Sequence, residues 1–251
     1  MKRAVLTMLV VAGVVAMAYD AVAQQEVTSV NVVGFRKIDL APSNGFTQVG
    51  MQFDAFDPTL QGVLSTQLIA STKVGGADQV YIWDTASSTY KRYAMKPDNL
   101  FYDANDFGGA PTNPPLHSGE GFWIRSAPTA PTSRQIVIAG EAVPDPAITN
   151  AIVTGFQMKA FPFSCEVNLQ DLDFANDGAT SSSKSGGADQ IYVWENGAYS
   201  IYALKTSTMQ WHDISDFGGP APSKVIPLGQ GFWYVAKAPF AWSETNRYSI
   251  K

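Results

Sequence analysis

The chain of 251 residues contains one cysteine and two histidines, and only 16% of it is Asp, Glu, Lys or Arg. Each shortage closes off a class of chemistry. A lone Cys165 has no partner for an internal disulfide, so stability has to come from packing. A zinc site wants three or four His, Cys or carboxylate ligands together, and His117 and His212 gather no such set around them. A Ser-His-Asp arrangement using His212 beside Asp213 is opposed by strand geometry, because adjacent side chains point to opposite faces. The nucleophile-elbow motif G-x-S-x-G is missing too. No basic run interrupts a formal net charge of −5. That balance repels phosphate backbones and excludes nucleic acid as a partner.

Long apolar runs are equally scarce, apart from one at the start. Lys2 and Arg3 precede an apolar stretch over residues 4–17, and Ala21-Val22-Ala23 has the small residues of a cleavage site. This order predicts a signal peptide over residues 1–23. The stretch is too short for a membrane span and no stop-transfer cluster follows it, so no transmembrane segment is expected after cleavage. No cysteine follows the site to carry a lipid. Removing Lys2, Arg3 and Asp20 makes the mature chain one unit more acidic. The expected location is exported: periplasmic, on the outer surface or extracellular.

What the chain has is a unit written twice. Residues 75–83 (Gly-Gly-Ala-Asp-Gln-Val-Tyr-Ile-Trp) return at 186–194 with two Val/Ile exchanges. Residues 103–109, ending Asp-Phe-Gly-Gly, match 213–219, and Gly119-Glu120-Gly121-Phe122-Trp123 matches Gly229-Gln230-Gly231-Phe232-Trp233. Gly45-Phe46 pairs with Gly155-Phe156. The spacing is about 110 residues, which suits two small domains or two halves of one pseudo-symmetric domain better than a solenoid. The predicted organisation is a first β repeat unit over 24–139 and a second over 140–251, joined through residues 140–149, with the halves in contact.

Local patterning is strand-like. Residues 27–40 read as an opening strand or two and 46–53 as the next. Residues 79–83 and 89–95 form a hairpin, as do 190–194 and 198–204 across Asn196-Gly197, a pair suited to positive φ. Strands at 121–124 and 231–235 follow, and last strands at 135–138 and 247–250. Asp57-Pro58 reads as a cap and first-turn proline for one or two helical turns carrying Leu60, Val63 and Leu64. The fold class expected is all-β: two tandem, similar antiparallel sandwich or barrel-like units with very little helix.

The repeated motifs read as structure before chemistry. Gly-Gly-Ala-Asp-Gln suits a turn whose Asp accepts backbone hydrogen bonds. Gly119-x-Gly121 lacks the third glycine and the following helix of a dinucleotide site, and fits a bulge or tight turn. Asp103, Asn105 and Asp106 hint at calcium, but the spacing misses the EF-hand pattern and Ser215 replaces Asn105 in the second copy. Scattered carboxylates leave a hydrolase as a third reading. Cys165 has no counterpart in the first copy and reads as a buried small hydrophobe. No cofactor is expected.

Aromatic residues carry the functional interest. Alternation puts Val80 and Ile82 on one face and Tyr81 and Trp83 on the other, repeated at Tyr192 and Trp194. Tyr81, Trp83, Tyr192 and Trp194 are the candidate ligand-contact residues. They suit a flat platform for sugar rings, or the packed contact between sheets or halves, and packing is the favoured reading. Asp-Gln-[Val/Ile]-Tyr-x-Trp and Gly-x-Gly-Phe-Trp, each present twice behind a signal peptide, resemble a family of uncharacterised exported bacterial tandem β-repeat proteins. The resemblance implies a tandem β architecture and extracytoplasmic placement, and carries no functional residue. The expected function is a non-catalytic structural or interaction protein of the cell envelope or extracellular matrix, with other proteins or surface glycans as partners. The alternative is a carbohydrate-binding module using the repeated aromatic faces.

Overall fold

Alternating side chains along residues 79–84 set the layering of the molecule. The computed structural model describes residues 32–247, so the expected signal segment and residues 248–251 lie outside the described residues. Strand β3 (Gln79–Asp84) pairs with β4 (Thr89–Met95), and on its other side with β6 (Gly121–Arg125). Adding β2 (Phe46–Gly50) beyond β6 and β5 (Phe101–Asp103) beyond β4 completes a five-stranded sheet in the order β2-β6-β3-β4-β5. The second copy reproduces it as β9-β15-β11-β12-β13, from β9 (Gly155–Ala160), β11 (Gln190–Glu195), β12 (Ala198–Lys205), β13 (Gln210–Asp213) and β15 (Gly231–Ala236). The turn between β11 and β12 has Asn196 and Gly197 at φ 51° and 81°, as their sequence predicts.

A two-stranded ribbon accompanies each sheet. In the first copy β1 (Val33–Leu40) pairs with β7 (Arg134–Glu141), and in the second β8 (Ala147–Ile152) pairs with β16 (Phe240–Thr245). A small pairing of β10 (Val167–Asn168) with β14 (Val225–Ile226) occurs in the second copy. All these strand pairs are antiparallel, and among the described residues helix is confined to short segments. Among the described residues no helix is long and apolar enough to cross a membrane.

Each sheet is covered on both faces. In the first copy Val49, Val80, Phe122 and Ile124 pack against Ile38, Leu40, Ile136 and Ile138 of the ribbon, with Leu60 and Leu64 from a short helix. In the second, Ile191, Phe232 and Tyr234 pack with Ile152 and Trp242 of its ribbon. There Phe174 stacks between Tyr234 and Trp242, with centroids 4.2 Å from each. The opposite faces of the two sheets meet in a third cluster of Trp123, Met158 and Trp233. Residues 32–247 therefore form one compact unit, a stack of ribbon, sheet, aromatic layer, sheet and ribbon.

Two local expectations shift. The helix Leu60–Leu64 is capped by Thr59, not Asp57. Thr59 Oγ1 accepts from Gly62 N at 3.1 Å while its hydroxyl donates to Asp57 Oδ1 at 2.7 Å, so Asp57 holds the cap instead of being it. The 139/140 boundary falls inside β7, whose pairing with β1 runs to Glu141; the crossing segment is residues 142–146. The ribbon strand of the second copy is Phe240–Thr245, paired with β8; of the last strand expected over 247–250, Arg247 lies past that strand and the rest lies outside the described residues.

Candidate functional site: the aromatic seam between the copies

The repeated Gly-Gly-Ala-Asp-Gln builds the edge of the seam. Asp78 is fully buried: Oδ1 accepts from Ala127 N at 2.7 Å, and Oδ2 accepts from Ile69 N at 2.6 Å and from Arg134 Nη1 at 2.5 Å. Asp189, equally buried, accepts from Lys237 N and the Tyr234 hydroxyl, both at 2.7 Å. The aspartate thus bolts two loops together in each copy, and the countercharge is present only in the first. The following glutamine orients a seam tyrosine. Tyr81 donates to Gln79 Oε1 at 3.1 Å and Tyr192 to Gln190 Oε1 at 2.9 Å.

The Gly-x-Gly motif makes the two sheets meet. Gly119 and Gly229 take φ of +85° and +71°, a turn that favours glycine. At Gly121 a Cβ would stand 2.7 Å from Met158 Cγ and 3.0 Å from Lys159 O, both in the other copy. Gly50 donates to Gly229 O at 2.8 Å and Ala160 donates to Gly119 O at 2.9 Å, a reciprocal pair of backbone bonds across the copies. The turn was legible in the sequence; its role in bringing two sheets into contact was not.

Trp83 meets Trp233 edge to face, centroids 5.0 Å apart, and Trp194 meets Trp123 in the same way at 5.6 Å. These are equivalent contacts, exchanged between copies. Tyr90 flanks Trp83 at 5.1 Å and Tyr199 flanks Trp194 at 4.8 Å. All four candidate residues, Tyr81, Trp83, Tyr192 and Trp194, therefore lie in one layer, half-buried against the opposite sheet. Their contacts are edge to face or tilted, the geometry aromatic quadrupoles favour, and not a flat exposed row.

The seam is not symmetric. Trp83 Nε1 donates to Phe156 O at 2.7 Å, closing one half. In the other half the indole of Trp194 makes no such bond to Phe46. Where the second copy places Met158, the first has Gln48, opposite Trp123 in the sheet register. Gln48 is 8% exposed, and neither its amide nitrogen nor its oxygen has a hydrogen-bond partner. The Trp123 indole lies beside the Tyr90 hydroxyl but its buried nitrogen misses hydrogen-bond geometry. Two openings result. One of about 300 Å³ is lined by Phe46, Tyr81, Tyr90, Trp123, Trp194 and Tyr199. The adjoining cleft of about 430 Å³ shares Phe46 and Trp194 and adds Arg36, Asp39, Gln48 and Gln230. Burial lowers the pKa of the Arg36 guanidinium, with no carboxylate acting against that shift. Burial also raises the Tyr90, Tyr192 and Tyr199 phenols, which stay neutral hydrogen-bonding groups.

The other residues weighed from the sequence stand apart from this seam. His212 is buried, with Nδ1 3.0 Å from Gly219 O and Nε2 2.9 Å from Thr208 Oγ1, while His117 is exposed. Cys165 is half-buried against the second core, not buried as expected, and burial pushes its thiol up. Asp103 accepts from Asn105 N at 2.7 Å, and Asn105 is held by Arg92 at 2.7 Å. Among the described residues no three His, Cys, Asp or Glu side chains gather to hold a metal ion. Sequence reading missed Phe46, Gln48, Tyr90, Tyr199 and Arg36. A position-by-position comparison of the copies would have flagged Gln48 against Met158, a polar residue where its twin is apolar. No protein-family model, curated protein or solved structure matches this chain.

Proposed function

We propose that this is an exported, non-catalytic structural or interaction protein of the cell envelope or extracellular matrix. The observation that carries the reading is where the apolar surface goes. The repeated tryptophans face each other across the seam, while the outer face of the β1–β7 ribbon leaves Phe35 69% and Val33 61% exposed. Val137 continues that strip from the paired strand. Clustered exposed apolar side chains on a rigid sheet element mark a contact surface for another macromolecule. The test is return of purified mature protein to envelopes from cells lacking it. Saturable rebinding that weakens in Phe35→Ser supports the reading, and a protein that never associates with envelope or matrix overturns it. Intact mass starting at Gln24 tests the export step.

A second reading is a glycan-binding module. It is favoured by the open half of the seam, where aromatic side chains and unpaired polar groups line adjoining clefts. A glycan array probed with the mature protein tests it, and an array without reproducible hits refutes it.

A further inference from the structure

The copies would be expected to close the seam identically at both ends, and they do not. At the closed end Trp83 is tied to the Phe156 carbonyl, and Met158 fills the sheet-facing position with apolar surface. At the open end the same position holds Gln48, whose amide is buried with both its nitrogen and its oxygen unpaired. A buried primary amide without partners is costly to the fold, and a methionine at that position would remove the cost, as the second copy demonstrates. Arg36, on β1 of the ribbon, forms no side-chain hydrogen bond or ion pair among the described residues, and burial alone accounts for its lowered pKa. Its aliphatic stem crosses Gly229, where a Cβ would lie 2.8 Å from Arg36 Cδ. Arg36, Asp39, Gln48 and Gln230 thus share one cleft with the aromatic side chains of Trp194 and Phe46.

We propose that this cleft binds one unit of a neutral saccharide. The inference rests on the glycan reading above and names its site and ligand class. A hydroxyl both donates and accepts, so a polyhydroxy ring is able to satisfy both ends of the Gln48 amide. The apolar C–H face of such a ring matches the aromatic surface of Trp194 and Phe46, which a smaller polar ion leaves uncovered. Arg36 and Asp39 line the same cleft with opposite charges, offering a donor and an acceptor without a net sign. That balance, on an acidic protein, favours a neutral ligand over a uronate.

The experiment titrates full mature protein, followed by tryptophan fluorescence, with a neutral hexose tetrasaccharide and separately with a uronic acid tetrasaccharide. The neutral sugar should give a saturable change, weakened about tenfold or more in Gln48→Met and in Arg36→Gln. The urea midpoint of Gln48→Met should hold or rise, which separates lost binding from lost folding. Saturable binding that neither variant alters places the ligand elsewhere and overturns the assignment. Preference for the uronate overturns the ligand class while leaving the glycan reading intact. No binding to either sugar overturns the inference, and the glycan array then decides whether the broader reading falls with it.

Discussion

Glu244 gives the sharpest handle on how this fold responds to pH. It is fully buried on β16, where Oε1 accepts from Trp242 Nε1 and from Asp173 N, both at 2.8 Å. Arg247 Nη2 stands 3.4 Å from Oε2. Burial outweighs these partners and pushes the carboxyl from its ordinary 4.5 up to about 7. The folded protein therefore holds this proton more tightly than the unfolded chain does. Its contribution to stability is fully present below the unfolded value and is lost as pH rises through the folded one. At about 1.4 kcal/mol per pKa unit, the interval is worth roughly 3 kcal/mol.

Glu244→Gln keeps an oxygen acceptor for Trp242 and Asp173 and cannot ionise. Near pH 4 the variant should match wild type, and by about pH 8 it should be more stable by roughly 3 kcal/mol. Urea unfolding followed by tryptophan fluorescence across that range measures the difference directly. Comparing the two proteins at each pH cancels every other carboxylate. Curves that stay parallel at all pH values would show that Glu244 binds its proton equally well folded and unfolded, and the argument from burial would be wrong.

Further consequences concern the seam and the bolts beside it. Trp233, only 7% exposed, should cost about 3–5 kcal/mol on substitution by alanine, read as a shift in urea midpoint. Gly121→Ala should cost roughly 1–3 kcal/mol, since its Cβ would press on the backbone of Lys159 as well as on Met158; a neutral result would mean that the sheets separate freely. Asp78→Asn leaves Arg134 without its countercharge and should cost about 3–5 kcal/mol. Asp189→Asn, which orphans no cation, should cost nearer 1–2 kcal/mol by the same thermal or urea measurement.

Much of this architecture was legible because β physics is local. Alternation along residues 79–84 placed Val80 and Ile82 opposite Tyr81 and Trp83, and the two faces do enter different clusters. Asn196-Gly197 marked its hairpin because few other pairs tolerate positive φ twice. Strand β5, only three residues long, and the two-residue β10 and β14 carry too little pattern to be read alone. The ribbon pairing β8 with β16 brings together segments far apart in sequence, and no local signal encodes that choice. The open half of the seam was hidden for a related reason. Gln48 on a strand looks like any surface glutamine until a second sheet is placed over it.

The exchanged tryptophan contacts imply that neither copy is complete alone. An isolated second copy, residues 142–251, would expose Trp194, Trp233 and Met158 on one sheet face. Burying three such side chains is worth up to about 5–9 kcal/mol at roughly 1.5–3 each, comparable to the whole stability of a domain of this size. The remedy open to the fragment is its own twin. Two second copies facing each other in the observed arrangement would set Trp194 of one protomer against Trp233 of its partner, twice, with Met158 supplying apolar filling on both sides. First copies, residues 24–141, would bury two unpaired Gln48 amides in the same arrangement and should associate less tightly. Sedimentation velocity on the separate fragments, with far-UV circular dichroism to confirm strand content, gives the answer. The second copy should be a dimer at micromolar concentration, the first a weaker one, and a mixture should convert to the 1:1 pair. A folded, stable monomer of either fragment would mean that the aromatic layer is incidental to the fold, and the account of why these tryptophans recur would have to be abandoned.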